Sequence, residues 1–126
     1  EDRRYYAIAA AAARAALDLD ARLVAVWTAT GHTVRLVSRH RLPMPIVGLT
    51  YTDTVCRQLC LLHGVIPLRI EPRSTLTEWA RVLDLRLLDL NVVSPGDLII
   101  VVTATNPTAP GSTDTTLIHR IQDPNE

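Results

Sequence analysis

Short apolar runs separated by helical stretches leave this chain few folds to adopt. Residues 22–28 (RLVAVWT), 46–50 (IVGLT), 65–70 (VIPLRI) and 98–103 (LIIVVT) are apolar at successive positions, the pattern of strands covered on both faces of a sheet. Between them lie segments of helical character. Residues 3–18 are rich in Ala, Leu and Arg without a breaker, and the apolar positions of 34–39 are spaced for a short helix ended by Pro43 and Pro45. Residues 53–63 read as a helix stopped by Gly64, which suits the left-handed residue that follows a helix. Thr75-x-x-Glu78 forms a capping box for a helix running to about residue 90.

Strand and helix thus alternate, which places helices on both faces of a largely parallel sheet. Pro67 cannot donate to a ladder, so the third strand belongs near an edge. Ser94-Pro95-Gly96-Asp97 is a turn before the fourth strand, residues 104–114 form the one long loop, and residues 115–121 return as a last, antiparallel strand. The expected fold is an α/β three-layer sandwich with a mostly parallel sheet of about five strands. A length of 126 residues fits a single domain spanning 1–126.

Composition narrows the function. Thirteen basic and 13 acidic residues cancel, with no basic stripe to hold a polyanion, so nucleic acid is not an expected partner. Every basic residue is Arg, which removes Schiff-base chemistry and a phosphate-loop lysine while leaving planar donors suited to phosphate. The longest weakly apolar stretch, 7–13, is too short to span a bilayer, so no membrane association is expected and a cytoplasmic setting is the default.

The segment richest in chemistry is the turn Thr28-Ala29-Thr30-Gly31-His32-Thr33, between the first strand and the next helix. Ligands of parallel α/β sheets bind beyond the carboxyl ends of the strands, where hydroxyls and backbone amides converge. Thr28, Thr30 and Thr33 would offer three hydroxyls, Gly31 a close backbone approach and His32 one further donor. The threonines would equally serve as plain helix caps. Trp79 and Arg86, seven residues apart on one helix, share a face and could hold a sugar ring and a phosphate, or be a core residue and a surface ion-pair partner. Cys56, Cys60 and His63 have helical spacing for a metal, but no second ligand cluster accompanies them and small cysteines are common in cores, so no metal is expected. His40 and His119, like His32, lack a nucleophile motif, and no G-x-S-x-G elbow occurs.

Read in order, these pieces resemble the C-terminal regulatory domain of the pyruvate kinase family, over residues 7–121. The stretch V-W-T-A-T-G-H-T-V-R-L-V-S-R-H-R at 26–41 is similar to the family's strand, T-x-[ST]-G-x-[ST] turn and helix. Pro45-Ile46-Val47, Arg57, Gly64, Pro67 and Pro95-Gly96-Asp97 follow in the family's order. The resemblance implies that Thr28, Thr30, Gly31, His32 and Thr33 hold one phosphate of a sugar bisphosphate such as fructose 1,6-bisphosphate. Trp79 and Arg86 would hold the other, with Gly111, Ser112 and Thr113 of the loop. It implies a parent enzyme that transfers phosphoryl from phosphoenolpyruvate to ADP, with Mg²⁺ and K⁺ in a catalytic barrel of roughly 250 residues that this chain does not contain. The chain itself would carry no cofactor and no catalytic residue. Its expected partners are the effector, the barrel and a second copy, paired through the sheet edge or the C-terminal helices. A free-standing phosphate-binding module of the same fold is the alternative. Ala29 stands where many members carry a lysine, and between Arg86 and Gly96 the chain is about seven residues shorter than typical members, roughly two helical turns.

Overall fold

A computed structural model describes residues 2–71, 75–104 and 113–125. Its elements alternate as expected: α1 (Asp2–Leu19), β1 (Val24–Trp27), α2 (His32–Ser38), β2 (Ile46–Thr50), α3 (Asp53–Leu59), β3 (Val65–Arg69), α4 (Leu76–Asp89), β4 (Leu98–Thr103) and β5 (Thr115–Arg120). The five strands form one sheet in the order β3-β2-β1-β4-β5. β1 pairs in parallel with both β2 and β4, β2 with β3, and β5 runs antiparallel to β4. β3 is an edge strand, where the missing N–H of Pro67 is tolerated.

Period-two burial splits each central strand between two cores. Val24, Val26, Ile100 and Val102 face α1, α2 and α3, while Ala25, Trp27, Ile99 and Val101 face Trp79, Leu83 and Leu87 of α4. The sheet is therefore the middle of three layers. Gly48 of β2 shows how tightly the first two layers meet. A Cβ there would lie 2.7 Å from Cδ1 of Leu59 and 3.4 Å from Cγ2 of Val34, both side chains fully buried. Gly48→Ala is expected to destabilise by roughly 1–3 kcal/mol in urea unfolding through overpacking. An unchanged midpoint would mean that α3 shifts freely on the sheet.

The ends of the helices follow local chemistry. Thr75 caps α4 by accepting from the Glu78 amide at 3.1 Å, as the capping box predicts. Thr52 does the same for α3 by accepting from the Val55 amide at 3.3 Å. α3 ends at Leu59 rather than near residue 63, and the chain turns through Gly64 at φ 77 into β3. Cys56, Cys60 and His63 consequently do not share one helix.

Candidate functional site

The order β3-β2-β1-β4-β5 contains a reversal. From β1 the chain builds outward to β2 and β3, then α4 carries it back across the other face to β4 on the opposite side of β1. Connections diverging from neighbouring parallel strands leave a crevice beyond their carboxyl ends, and ligands of open α/β sheets bind there. Here the crevice belongs to β1 and β4. It opens as a depression of about 290 Å³ lined by Tyr5, Thr28, Ala29, Thr30, His32, Thr33 and Thr113.

Most of the predicted turn thus meets Thr113 at this point. Thr28 and Thr33 are buried and Thr30 and His32 exposed. Gly31 has φ 92, a left-handed conformation that side chains other than glycine rarely adopt. The hydroxyl oxygens of Thr28 and Thr30 are partly used inside the turn, accepting from the Gly31 amide at 2.7 Å and the His32 amide at 3.3 Å. Each hydroxyl still has its proton to donate. α2 spans only seven residues and has no side-chain cap, so the hydroxyls carry more of the turn's binding capacity than the helix does.

Two residues that sequence reasoning missed complete this end. Tyr5, from the first turns of α1, lines the depression and meets the His32 ring edge-on at 5.7 Å. Nothing in the sequence near Tyr5 signals that α1 returns to the turn. Arg35 folds back along α2 until its Nη1 lies 2.9 Å from where a Cβ on Gly31 would stand. The spacing of four residues was a legible signal, since helical side chains lean toward the preceding turn. Among the described residues no carboxylate pairs with this guanidinium.

The second half of the predicted site lies on the other layer. Trp79 is 1% exposed, with its ring edge-on to Trp27 at 6.0 Å in the α4 core. A sugar therefore has no open indole face to stack on. Its Nε1 is buried without a hydrogen-bond partner, as is Oγ1 of Thr103 at the end of β4. Arg86 is exposed, and its Nη1 donates to the Arg69 carbonyl at 3.1 Å, at the carboxyl end of β3. Two strand spacings separate β3 from β1, roughly 10 Å. Gly111 and Ser112 lie outside the described residues.

Among the described residues no group of three or more His, Cys, Asp or Glu side chains is placed to hold a metal ion. Both cysteines are free, and burial, reinforced by Asp53 and Cys60, pushes the Cys56 thiol above its ordinary value. No described helix is long and apolar enough to cross a membrane.

An open α/β sheet with hydroxyls gathered at its switch point defines a domain of the doubly wound type. Residues 6–119 match the family model described as pyruvate kinase, alpha/beta domain. The chain is 35% identical over 95 residues to the pyruvate kinase of Bacillus licheniformis, covering 75% of this chain and 16% of that protein. It is 33% identical over 115 residues to that of Lactococcus lactis subsp. lactis, covering 91% and 23%. Its fold superposes with a TM-score of 0.82 on Cryptosporidium parvum pyruvate kinase in complex with ADP, at 27% identity over 94% of this chain and 24% of that one. The chain belongs to the pyruvate kinase family and corresponds to its C-terminal α/β domain. It spans 16% to 23% of the length of these bacterial relatives.

Proposed function

We propose that this chain is the regulatory domain of a pyruvate kinase and binds a phosphorylated sugar effector across the carboxyl end of its sheet. The parent enzyme would transfer phosphoryl from phosphoenolpyruvate to ADP, giving pyruvate and ATP, in a barrel that also holds Mg²⁺ and K⁺. The observation that carries the reading is the crevice between β1 and β4, where Thr28, Thr30, Thr33 and Thr113 converge. Arg35 adds a guanidinium that, among the described residues, has no carboxylate partner beside the turn, which offsets the lysine that Ala29 replaces. One phosphate sits on this turn. The second reaches toward α4, where the Trp79 N–H lacks a partner and Arg86 has donors beyond the one given to the Arg69 carbonyl.

Titration with fructose 1,6-bisphosphate, followed by calorimetry, tests the reading. Thr30→Ala is expected to remove one hydrogen bond to a charged group, and Arg86→Ala one charge-assisted contact, each weakening binding by roughly tenfold. Both side chains are exposed, so thermal unfolding should move by less than about 0.5 kcal/mol in either variant. Absence of binding to the wild-type chain, or equal affinities in all three proteins, would remove the effector from this crevice.

A further inference from the structure

Asp84 is the one buried carboxylate of α4 among the described residues, and both of its oxygens are committed to the end of the chain. Oδ1 lies 2.7 Å from Nε2 of His119 on β5, and Oδ2 accepts from the Gln122 amide at 3.1 Å. Side-chain exposures of 6% for Asp84 and 18% for His119 separate this pair from the ion pairs of the surface. A carboxylate only accepts, so Nε2 of His119 carries the proton. The other charged groups along the groove between α4 and β5 are Arg81 and Asp123. Among the described residues neither forms an ion pair with Asp84 or His119, so the contact is specific to these two.

Two residues separate Asp84 from Arg86, about 200° around a helix. The two side chains therefore leave α4 on opposite flanks, Asp84 toward β5 at one sheet edge and Arg86 toward Arg69 on β3 at the other. The core side chains Trp79, Leu83 and Leu87 set how high α4 rides on the sheet. Hydrogen bonds on the two flanks, from Asp84 to His119 and Gln122 and from Arg86 to Arg69, add to that core in holding the rotation of α4 about its own axis. β5 also begins just after Thr113, a wall of the crevice.

We infer that the Asp84–His119 pair is a positioning brace that fixes the rotation of α4 and so sets Arg86 at the distance a second phosphate requires from the threonine turn. The inference rests on the effector reading above, and it makes the site selective for ligands with two phosphates. A brace of this kind affects only the half of the ligand that α4 holds. Inorganic phosphate on the turn Thr28–Thr33 touches α1, α2 and the entry to β5, and is indifferent to it.

The test compares His119→Ala, His119→Gln and Asp84→Asn with wild type in the full chain, each first shown to be folded by circular dichroism, with inorganic phosphate and fructose 1,6-bisphosphate as probes. His119→Ala is expected to weaken the bisphosphate by roughly tenfold, the worth of one charge-assisted contact, and to leave phosphate affinity within about twofold. His119→Gln, whose amide donates to the same carboxylate, should restore most of the loss, and Asp84→Asn should retain part of it through the Gln122 contact. Equal losses for both probes, no loss for either, or failure of glutamine to rescue would overturn the brace while leaving the effector reading in place. Failure of wild type to bind either probe would remove both.

Discussion

Asp84→Ala is expected to destabilise the chain by about 3 kcal/mol, lowering its melting temperature by roughly 10 °C. The substitution strands two donors at once, the His119 Nε2–H and the Gln122 amide, in a part-buried setting where water does not readily replace the lost oxygens. Leaving a buried donor without its acceptor commonly costs about 1–3 kcal/mol, and two donors are left here. Asp84→Asn keeps an acceptor for the Gln122 amide, so about half the loss should return. The contrast is Arg14–Asp18, an i,i+4 pair on α1 at 3.0 Å with side-chain exposures of 80% and 59%. Its removal is expected to change stability by less than about 0.5 kcal/mol. Chemical denaturation of Asp84→Ala and Arg14→Ala in parallel measures both. A loss below about 1 kcal/mol for Asp84→Ala would show that water reaches the site and that the pair holds little.

The layers of this fold were legible in the sequence because the four parallel strands are short apolar runs and helical segments alternate with them. Pro67 placed β3 at an edge, and the capping box at Thr75 placed the start of α4 to the residue. Boundaries without such punctuation were harder to read. The end of α3 lies at Leu59, not at 63: Cys60–His63 carry no breaker, and the turn is made by backbone bonds from the Leu61 and Leu62 amides to the carbonyls of Gln58 and Leu59, with Gly64 at positive φ. Of the candidate site, the turn 28–33 could be read because its hydroxyls and glycine sit at consecutive positions. Tyr5 could not, since it is brought to the turn from 23 positions upstream of Thr28 by the docking of α1. Trp79 was legible as a special residue, but not which way it faces. A spacing of seven residues defines a helical stripe, and only the placement of the sheet shows that this stripe points inward at Trp79 while Arg86 lies on the flank.

That placement yields the sharpest test of what Trp79 is for. Trp79→Ala removes a fully buried ring packed on Trp27, Leu83 and Leu87, and a loss of about 3–5 kcal/mol is expected whatever else the residue does. Trp79→Phe separates the packing from the polar edge. Phenylalanine keeps an aromatic ring in the same cluster, and the N–H it deletes has no partner in the unliganded fold. A buried donor without a partner costs roughly 1–3 kcal/mol, so its removal offsets much of the volume lost with the larger ring. Net stability should therefore fall by no more than about 1 kcal/mol. Affinity should behave the opposite way: if the indole N–H donates to the second phosphate, Trp79→Phe forfeits a hydrogen bond to a charged group and weakens fructose 1,6-bisphosphate by roughly tenfold or more. Inorganic phosphate at the threonine turn should be unaffected. Calorimetric titration and urea unfolding of the same two variants read both quantities. A phenylalanine variant that binds the bisphosphate as wild type does, with stability lost in proportion to ring volume, would make Trp79 a core residue and leave Arg86 as the one α4 side chain proposed for the second phosphate.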